Sequence, residues 1–124
     1  MADVKELIAK RVVKEFEDGN VVNLGIGLPT LAANYVPSDM EVFLQSENGF
    51  INLGSAPDEA NIDMDLTNAG GQPVTMINGG AYFDSATSFA IIRGRHVDVT
   101  VLGALEVDEK GNLSNWIIPG KMVP

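Results

Sequence analysis

Apolar residues at Val4, Leu7, Ile8, Val12 and Phe16 recur every three or four positions, with charged residues between them. That period predicts an amphipathic helix from about Asp3 to Asp18, buried along one stripe. Asp3 suits its N-cap and Gly19 its end. The pattern then changes. Val21-Val22-Asn23-Leu24 is a short β-rich run stopped by Gly25 and Gly27. Pro29 to Tyr35 reads as a second, shorter helix with the proline at its first turn. Pro37-Ser38-Asp39 turns the chain. Glu41 to Gln45 returns as a strand, and Ser46-Glu47-Asn48-Gly49 stops it. Ser55 to Gly71 is expected to be mostly loop. Val74 to Ile77 predicts a strand ended by Asn78-Gly79-Gly80, and Ala81-Tyr82-Phe83 fits no single class. A helix is expected from Asp84 or Ser85 through Ile92, ended by Gly94. Val97 to Leu105 is the strongest strand signal, a nearly continuous apolar run that suits a strand buried on both faces. Asp108 to Asn112 predicts a hairpin turn, with Leu113 to Ile118 as the return strand.

Helices alternating with buried strands imply an α/β architecture with an open, mainly parallel sheet and a hairpin at one side. The 124 residues suffice for one domain and not two. About five strands with only three helices would leave part of the sheet bare. A further stretch of chain or a partner subunit is therefore expected to cover it.

Composition narrows the function classes. With 17 acidic against 8 basic residues the formal charge is −9. That disfavours nucleic acid and anionic membrane surfaces as partners. No run reaches the ~20 apolar residues of a membrane span. Met1 to Lys10 lacks the apolar stretch of a signal peptide, so the expected compartment is the cytoplasm. There is no cysteine and one histidine. A disulfide framework, a thiolate nucleophile, a cysteine zinc site and a Ser-His-Asp triad are thereby disfavoured, and no metal site is expected.

Three segments can carry chemistry. Gly25-Ile26-Gly27-Leu28-Pro29-Thr30 is a glycine turn between a strand and a helix. It is either an ordinary βα turn or a place where backbone approaches a ligand and helix-start N–H groups hold an anion. It lacks both the third glycine of the dinucleotide fingerprint and the Lys-Ser/Thr of a P-loop. Glu47 follows an apolar strand directly, at the end where open α/β sheets bind ligands. It reads either as a solvated loop acid or as a carboxylate presented to a crevice. The third segment is Asp84-Ser85-Ala86-Thr87-Ser88 with Arg93-Gly94-Arg95-His96-Val97-Asp98. Ser85 has no accompanying base, so these residues read as a helix cap and a closing turn, with His96 a satisfied structural histidine. Phe83 and Trp116 read as core or interface.

Taken together, the motifs have a family likeness. Val22-Asn23-Leu24-Gly25-Ile26-Gly27-Leu28-Pro29-Thr30, Leu44-Gln45-Ser46-Glu47-Asn48-Gly49, Asn68-Ala69-Gly70-Gly71, Phe83-Asp84-Ser85, Val97 to Leu105 and Asn115 to Met122 resemble the B (beta) subunit of the family I CoA-transferases. These act as 3-oxoacid and acetate- or butyrate-acetoacetate CoA-transferases. The likeness runs from Lys10 to the last residue. It implies an open Rossmann-like sheet with flanking helices, of which residues 1–124 are the N-terminal part of a single domain. It puts Glu47 at the catalytic position and Gly25, Gly27, Ser46, Asn48 and Gly49 at substrate- or CoA-binding positions. It implies CoA as substrate, with no metal or other cofactor, and a hetero-oligomer with an A subunit. The family's B subunit continues for roughly as many residues again. It continues first through a glycine-rich segment of the type Gly-Met-Gly-Gly-Ala-Met-Asp. The family's usual Arg-Gly-Gly-His turn reads Arg93-Gly94-Arg95-His96 here.

The resemblance implies ping-pong transfer of CoA between carboxylic acids through a glutamyl-CoA thioester. A carboxylate is already nucleophilic at neutral pH and needs no separate base. Donors aimed at the oxyanions can each contribute on the order of 3 kcal/mol. The Asn48 amide and the turn at Gly25 and Gly27 are the local candidates. Two alternatives stand beside this: a non-catalytic truncated subunit, and a sugar-phosphate isomerase in which the glycine turn holds phosphate and Glu47 is the base.

Overall fold

The structure, a computed structural model, describes residues 3–118 and 120–121. Its centre is a five-stranded sheet of order β4-β3-β2-β1-β5. The strands are β1 (Val21–Leu24), β2 (Phe43–Ser46), β3 (Phe50–Leu53), β4 (Met76–Tyr82) and β5 (Val99–Val101). β1 pairs in parallel with both β2 and β5, and β3 is antiparallel to β2 and to β4. Only β3 therefore runs against the others, and the mainly parallel α/β expectation holds. A separate two-stranded hairpin, β6 (Glu106–Val107) and β7 (Leu113–Ser114), turns at Asp108 to Asn112 as predicted. The Met122 end of the sequence motif, with Pro119, lies outside the described residues.

Register sorts the two faces of the sheet. Val22 stands opposite Leu44, and Asn23 opposite Gln45. One face thus carries Val22, Leu24 and Leu44 into a core with Val13, Phe16, Ala32, Phe50, Leu53 and Val74. Full burial of each Val or Leu contributes ~1.5–3 kcal/mol, so this face holds the fold. The cover is α1 (Val4–Val13) and a 3-10 helix, Leu28–Tyr35, packed on each other. The other face is polar at its centre, with Asn23 and Gln45 under α2 (Ser85–Arg93).

Several expected elements differ. Asp3 caps α1 as predicted, its side chain accepting from the Lys5 N–H, but the helix ends at Val13. Beyond it the N–H groups of Glu15 and Phe16 bond three residues back, which tightens the chain and turns Phe16 into the core. Val4, Leu7 and Ile8 remain exposed, so only the C-terminal half of the apolar stripe is buried. The second helix is 3-10 throughout, with Pro29 and Ala32 buried at the three-residue spacing that such a helix eclipses. β3 went unpredicted because its buried residues, Phe50 and Leu53, are three apart. A bulge at Asn52, whose φ is 68°, restores Leu53 to the core side. β4 continues through Asn78-Gly79-Gly80 where a stop was expected. This strand is an edge, where glycines permit irregular pairing instead of ending it.

The largest correction concerns the apolar run from Val97 to Leu105. Only Val99–Val101 is strand, and it is partly buried, while Leu102 is 69% and Leu105 52% exposed. Among the described residues β5 pairs with β1 alone, so it is an edge and not a strand covered on both faces. The predicted strand from Leu113 to Ile118 is likewise reduced to Leu113–Ser114, and Trp116 is exposed. Among the described residues no helix is long and apolar enough to cross a membrane.

Candidate functional site

β2 and β3 are joined by Glu47-Asn48-Gly49, a three-residue loop at the carboxyl end of β2. The Gly49 N–H closes it on the Ser46 carbonyl at 3.1 Å. Gly49 has φ 130°, and a Cβ there would stand 2.1 Å from the Phe83 carbonyl oxygen. Glycine is therefore required by both conformation and space. The same Gly49 accepts from the Phe83 N–H at 2.8 Å, which fastens the loop to the entry of α2. The tip is held from a second side. The Asn48 carboxamide donates to the Thr67 carbonyl at 2.7 Å, and the Ser46 hydroxyl accepts from the Ala69 N–H at 3.1 Å. Ser46 and Asn48 thus bind the Asn68-Ala69-Gly70-Gly71 segment to the loop.

Glu47 is half-buried on this rigid tip. It lies on the polar face of the sheet, where the Asn23 carboxamide donates to its Oε2 at 3.3 Å. Among the described residues no donor reaches Oε1. The carboxylate is neither free in solvent nor sealed in an apolar interior: the residue is half-buried and one oxygen accepts a hydrogen bond.

Extending the Asn23–Gln45 register by two positions sets Gly25 beside Glu47 at the carboxyl edge. Here β1 is flanked by β2 on one side and β5 on the other, a topological switch point of the kind where open sheets bind ligands. The Gly25 N–H is committed to the Val101 carbonyl at 2.8 Å, and a Cβ on Gly25 would lie 3.0 Å from that oxygen. Gly25 therefore seats β5 closely against β1. Gly27, at φ 87°, begins the 3-10 helix, and its carbonyl accepts from both the N–H and the hydroxyl of Thr30.

Sequence reasoning missed three side chains. Asn23, Gln45 and Ser88 are buried polar residues on the face that carries Glu47. Asn23 Nδ2 donates to Gln45 Oε1 at 2.7 Å, and Gln45 Nε2 donates to Ser88 Oγ at 2.8 Å. Leaving such a buried group unpaired costs about 1–3 kcal/mol. The signal was present as polar residues inside two otherwise apolar strands. A cavity of about 410 Å³ is lined by Leu24, Gln45, Ser46, Leu53, Asn68 and Val74 among others; Glu47 does not line it.

The third segment is a cap, as expected. The Asp84 carboxylate accepts from the Thr87 N–H at 2.7 Å, which holds its carboxyl below the usual carboxylate range. His96 is exposed rather than internally satisfied, and its backbone N–H closes the end of α2 on the Ile91 carbonyl at 3.1 Å.

Comparison with known proteins identifies the family. The family model described as Coenzyme A transferase matches residues 5–124. The beta subunit of the acetate CoA-transferase of Escherichia coli (strain K12) is 57% identical over 122 residues, covering 98% of this chain and 55% of that protein. The B subunit of the probable succinyl-CoA:3-ketoacid coenzyme A transferase of Bacillus subtilis (strain 168) is 53% identical over 123 residues, covering 99% and 57%. The chain thus spans about half the length of these curated relatives. In three dimensions it is similar to the apoenzyme of the acyl-CoA transferase YdiF from Escherichia coli O157:H7. The TM-score is 0.68 and the identity 27%, over 98% of this chain and 21% of that one.

Proposed function

The chain belongs to the Coenzyme A transferase family, and from that premise we propose that it forms part of a beta subunit that moves CoA between an acyl-CoA and a short-chain carboxylic or 3-oxo acid. The catalytic group is Glu47. The observation that carries this reading is a half-buried carboxylate on a braced hairpin tip, held through one oxygen by Asn23.

In the proposed reaction Glu47 attacks the thioester carbonyl and CoA thiolate leaves, giving a mixed anhydride. The thiolate then attacks the glutamyl carbonyl, which expels the first carboxylate and forms the glutamyl-CoA thioester. The second acid's carboxylate attacks that thioester and again releases thiolate. Attack of the thiolate on the new acyl carbonyl frees Glu47 and delivers the second acyl-CoA. One thioester replaces another and no net proton is consumed. Remote binding of the CoA moiety lowers the barrier where it is realised only in the transition state.

The rigid loop supports this role because a weak nucleophile gains most from fixed position. Gly27, Ser46, Asn48 and Gly49 serve by shaping the tip and its neighbouring segment, and Gly25 by seating β5. The relatives are named as subunits, which supports an alpha-subunit partner and a hetero-oligomeric enzyme. The remaining half of the beta subunit is part of the same active unit. In that complete enzyme Glu47→Ala is expected to lower exchange by on the order of 10⁴-fold or more. Exchange retained within tenfold would refute the assignment.

A further inference from the structure

The polar face of the sheet contains a single chain of side-chain hydrogen bonds that ends at the proposed nucleophile. Gln45 and Ser88 are both 0% exposed, and Asn23 is 5% exposed. Three polar side chains at the junction of two strands and a helix are costly unless each donor and acceptor is matched. Here the two short contacts, Asn23 to Gln45 and Gln45 to Ser88, set the order of the chain. The Ser88 hydroxyl donates to the Ser46 carbonyl, a long contact at 3.5 Å, and so presents a lone pair to Gln45 Nε2 at 2.8 Å. With its amine end turned to Ser88, Gln45 offers only Oε1 to its neighbour. Asn23 must then turn its own amine end to Gln45 Oε1 at 2.7 Å, and its second N–H lies between Glu47 Oε2 at 3.3 Å and the more distant Gln45 carbonyl at 3.5 Å. Were the Asn23 amide reversed, its carbonyl oxygen would face both Gln45 Oε1 and the carboxylate.

We infer that Gln45 and Ser88 are positioning residues, which lock the Asn23 carboxamide with an N–H aimed at the Glu47 carboxylate. This rests on the proposed role of Glu47. The lock links α2 to the reacting group through two side chains that are fully buried. Its parts are polar where apolar residues would pack with less risk, which is the mark of a device that sets orientation. Asn and Gln amides have two nearly isosteric orientations, and only their partners choose between them.

The test uses the complete enzyme, this chain within its full beta subunit and assembled with its alpha subunit. Ser88→Ala removes the acceptor that orients Gln45, Gln45→Met removes the amide while keeping its bulk, and Ser88→Thr restores the hydroxyl. Each is measured for the single-turnover rate of covalent adduct formation with acetyl-CoA, per active site counted from the adduct itself, and for KM. A positioning role predicts at least a tenfold slower rate per site in Ser88→Ala and Gln45→Met. KM should stay within about twofold, and Ser88→Thr should recover most of the rate. A merely structural role predicts fewer active sites and a lower melting temperature with an unchanged rate per site, which would overturn the inference. The Asn23 carboxamide protons give an independent readout by NMR: slow exchange in the parent enzyme and fast exchange in Ser88→Ala are expected, and equal exchange overturns the inference. Should Gln45→Met fail to fold, Ser88→Ala decides. Should the parent enzyme form no adduct, the role of Glu47 fails separately, and the carboxamide protons still judge the lock.

Discussion

Arg95 has a φ of 61°. It sits one residue past Gly94, with its N–H bonded to the Ile92 carbonyl while the His96 N–H bonds to that of Ile91. That is a Schellman ending, whose left-handed position is usually glycine. An arginine there bears the Cβ penalty of about 1–2 kcal/mol. Arg95→Gly removes it but adds freedom to the unfolded chain. A net stabilisation of about 1 kcal/mol is expected in denaturant titration, and a loss of stability would contradict the reading. Gly49 is the converse. Gly49→Ala is expected to cost about 1–3 kcal/mol from its conformation alone. The approach to the Phe83 carbonyl adds to this. Displacement of the Glu47 tip should lower activity further, so an alanine variant with native stability and native exchange would refute the tip geometry.

Among the elements, α2 hangs on its caps. Only Ser88 of this helix is buried, so packing contributes little and the Asp84 cap matters. The Thr87 N–H stabilises the charged form of Asp84 and holds its carboxyl below the ordinary value. The contribution is present above the unfolded carboxylate pKa and is lost as pH falls through the lower folded one. Asp84→Asn keeps a capping oxygen that does not titrate. Melting temperatures taken from pH 7 to pH 3 should therefore fall more steeply for the parent than for Asp84→Asn, whereas parallel curves would contradict the cap. Capping and turn residues were the most legible parts of the sequence: Asp3, Asp84 and the Asp108 to Asn112 turn stand where their chemistry puts them. Strand limits were less legible, because they depend on partners. The apolar run at Val97 to Leu105 looks central until its edge position is seen. Phe50 and Leu53 look out of phase until the bulge at Asn52 rejoins them. At the site, Glu47 and its glycine were readable from a local motif. Asn23 stood out as a polar residue in an apolar strand, but its link to Glu47 and that of Ser88 to Gln45 did not, since these pairs are 24 and 43 residues apart in sequence.

For the molecule as a whole, the two sides of the sheet do different work. The covered face holds the core, the polar face is buried at its centre under α2, and Leu102, Leu105 and Trp116 beyond β5 are exposed. The relatives are about twice as long and are named as subunits, and the proposed function includes both the rest of the beta subunit and an alpha subunit. The 124-residue chain by itself is accordingly expected to exchange no CoA, and assembly with both is expected to restore exchange. Turnover by the short chain alone would overturn that view. The central claim is that the Glu47 carboxyl carbon carries CoA as a thioester during turnover. Its most direct test is intact-mass and peptide analysis of the complete enzyme after incubation with acyl-CoA and no acceptor acid. The account predicts a CoA adduct on the peptide that contains Glu47, removed when an acceptor acid is added. A competent enzyme that turns over with no adduct there, or with one on another residue, would contradict it.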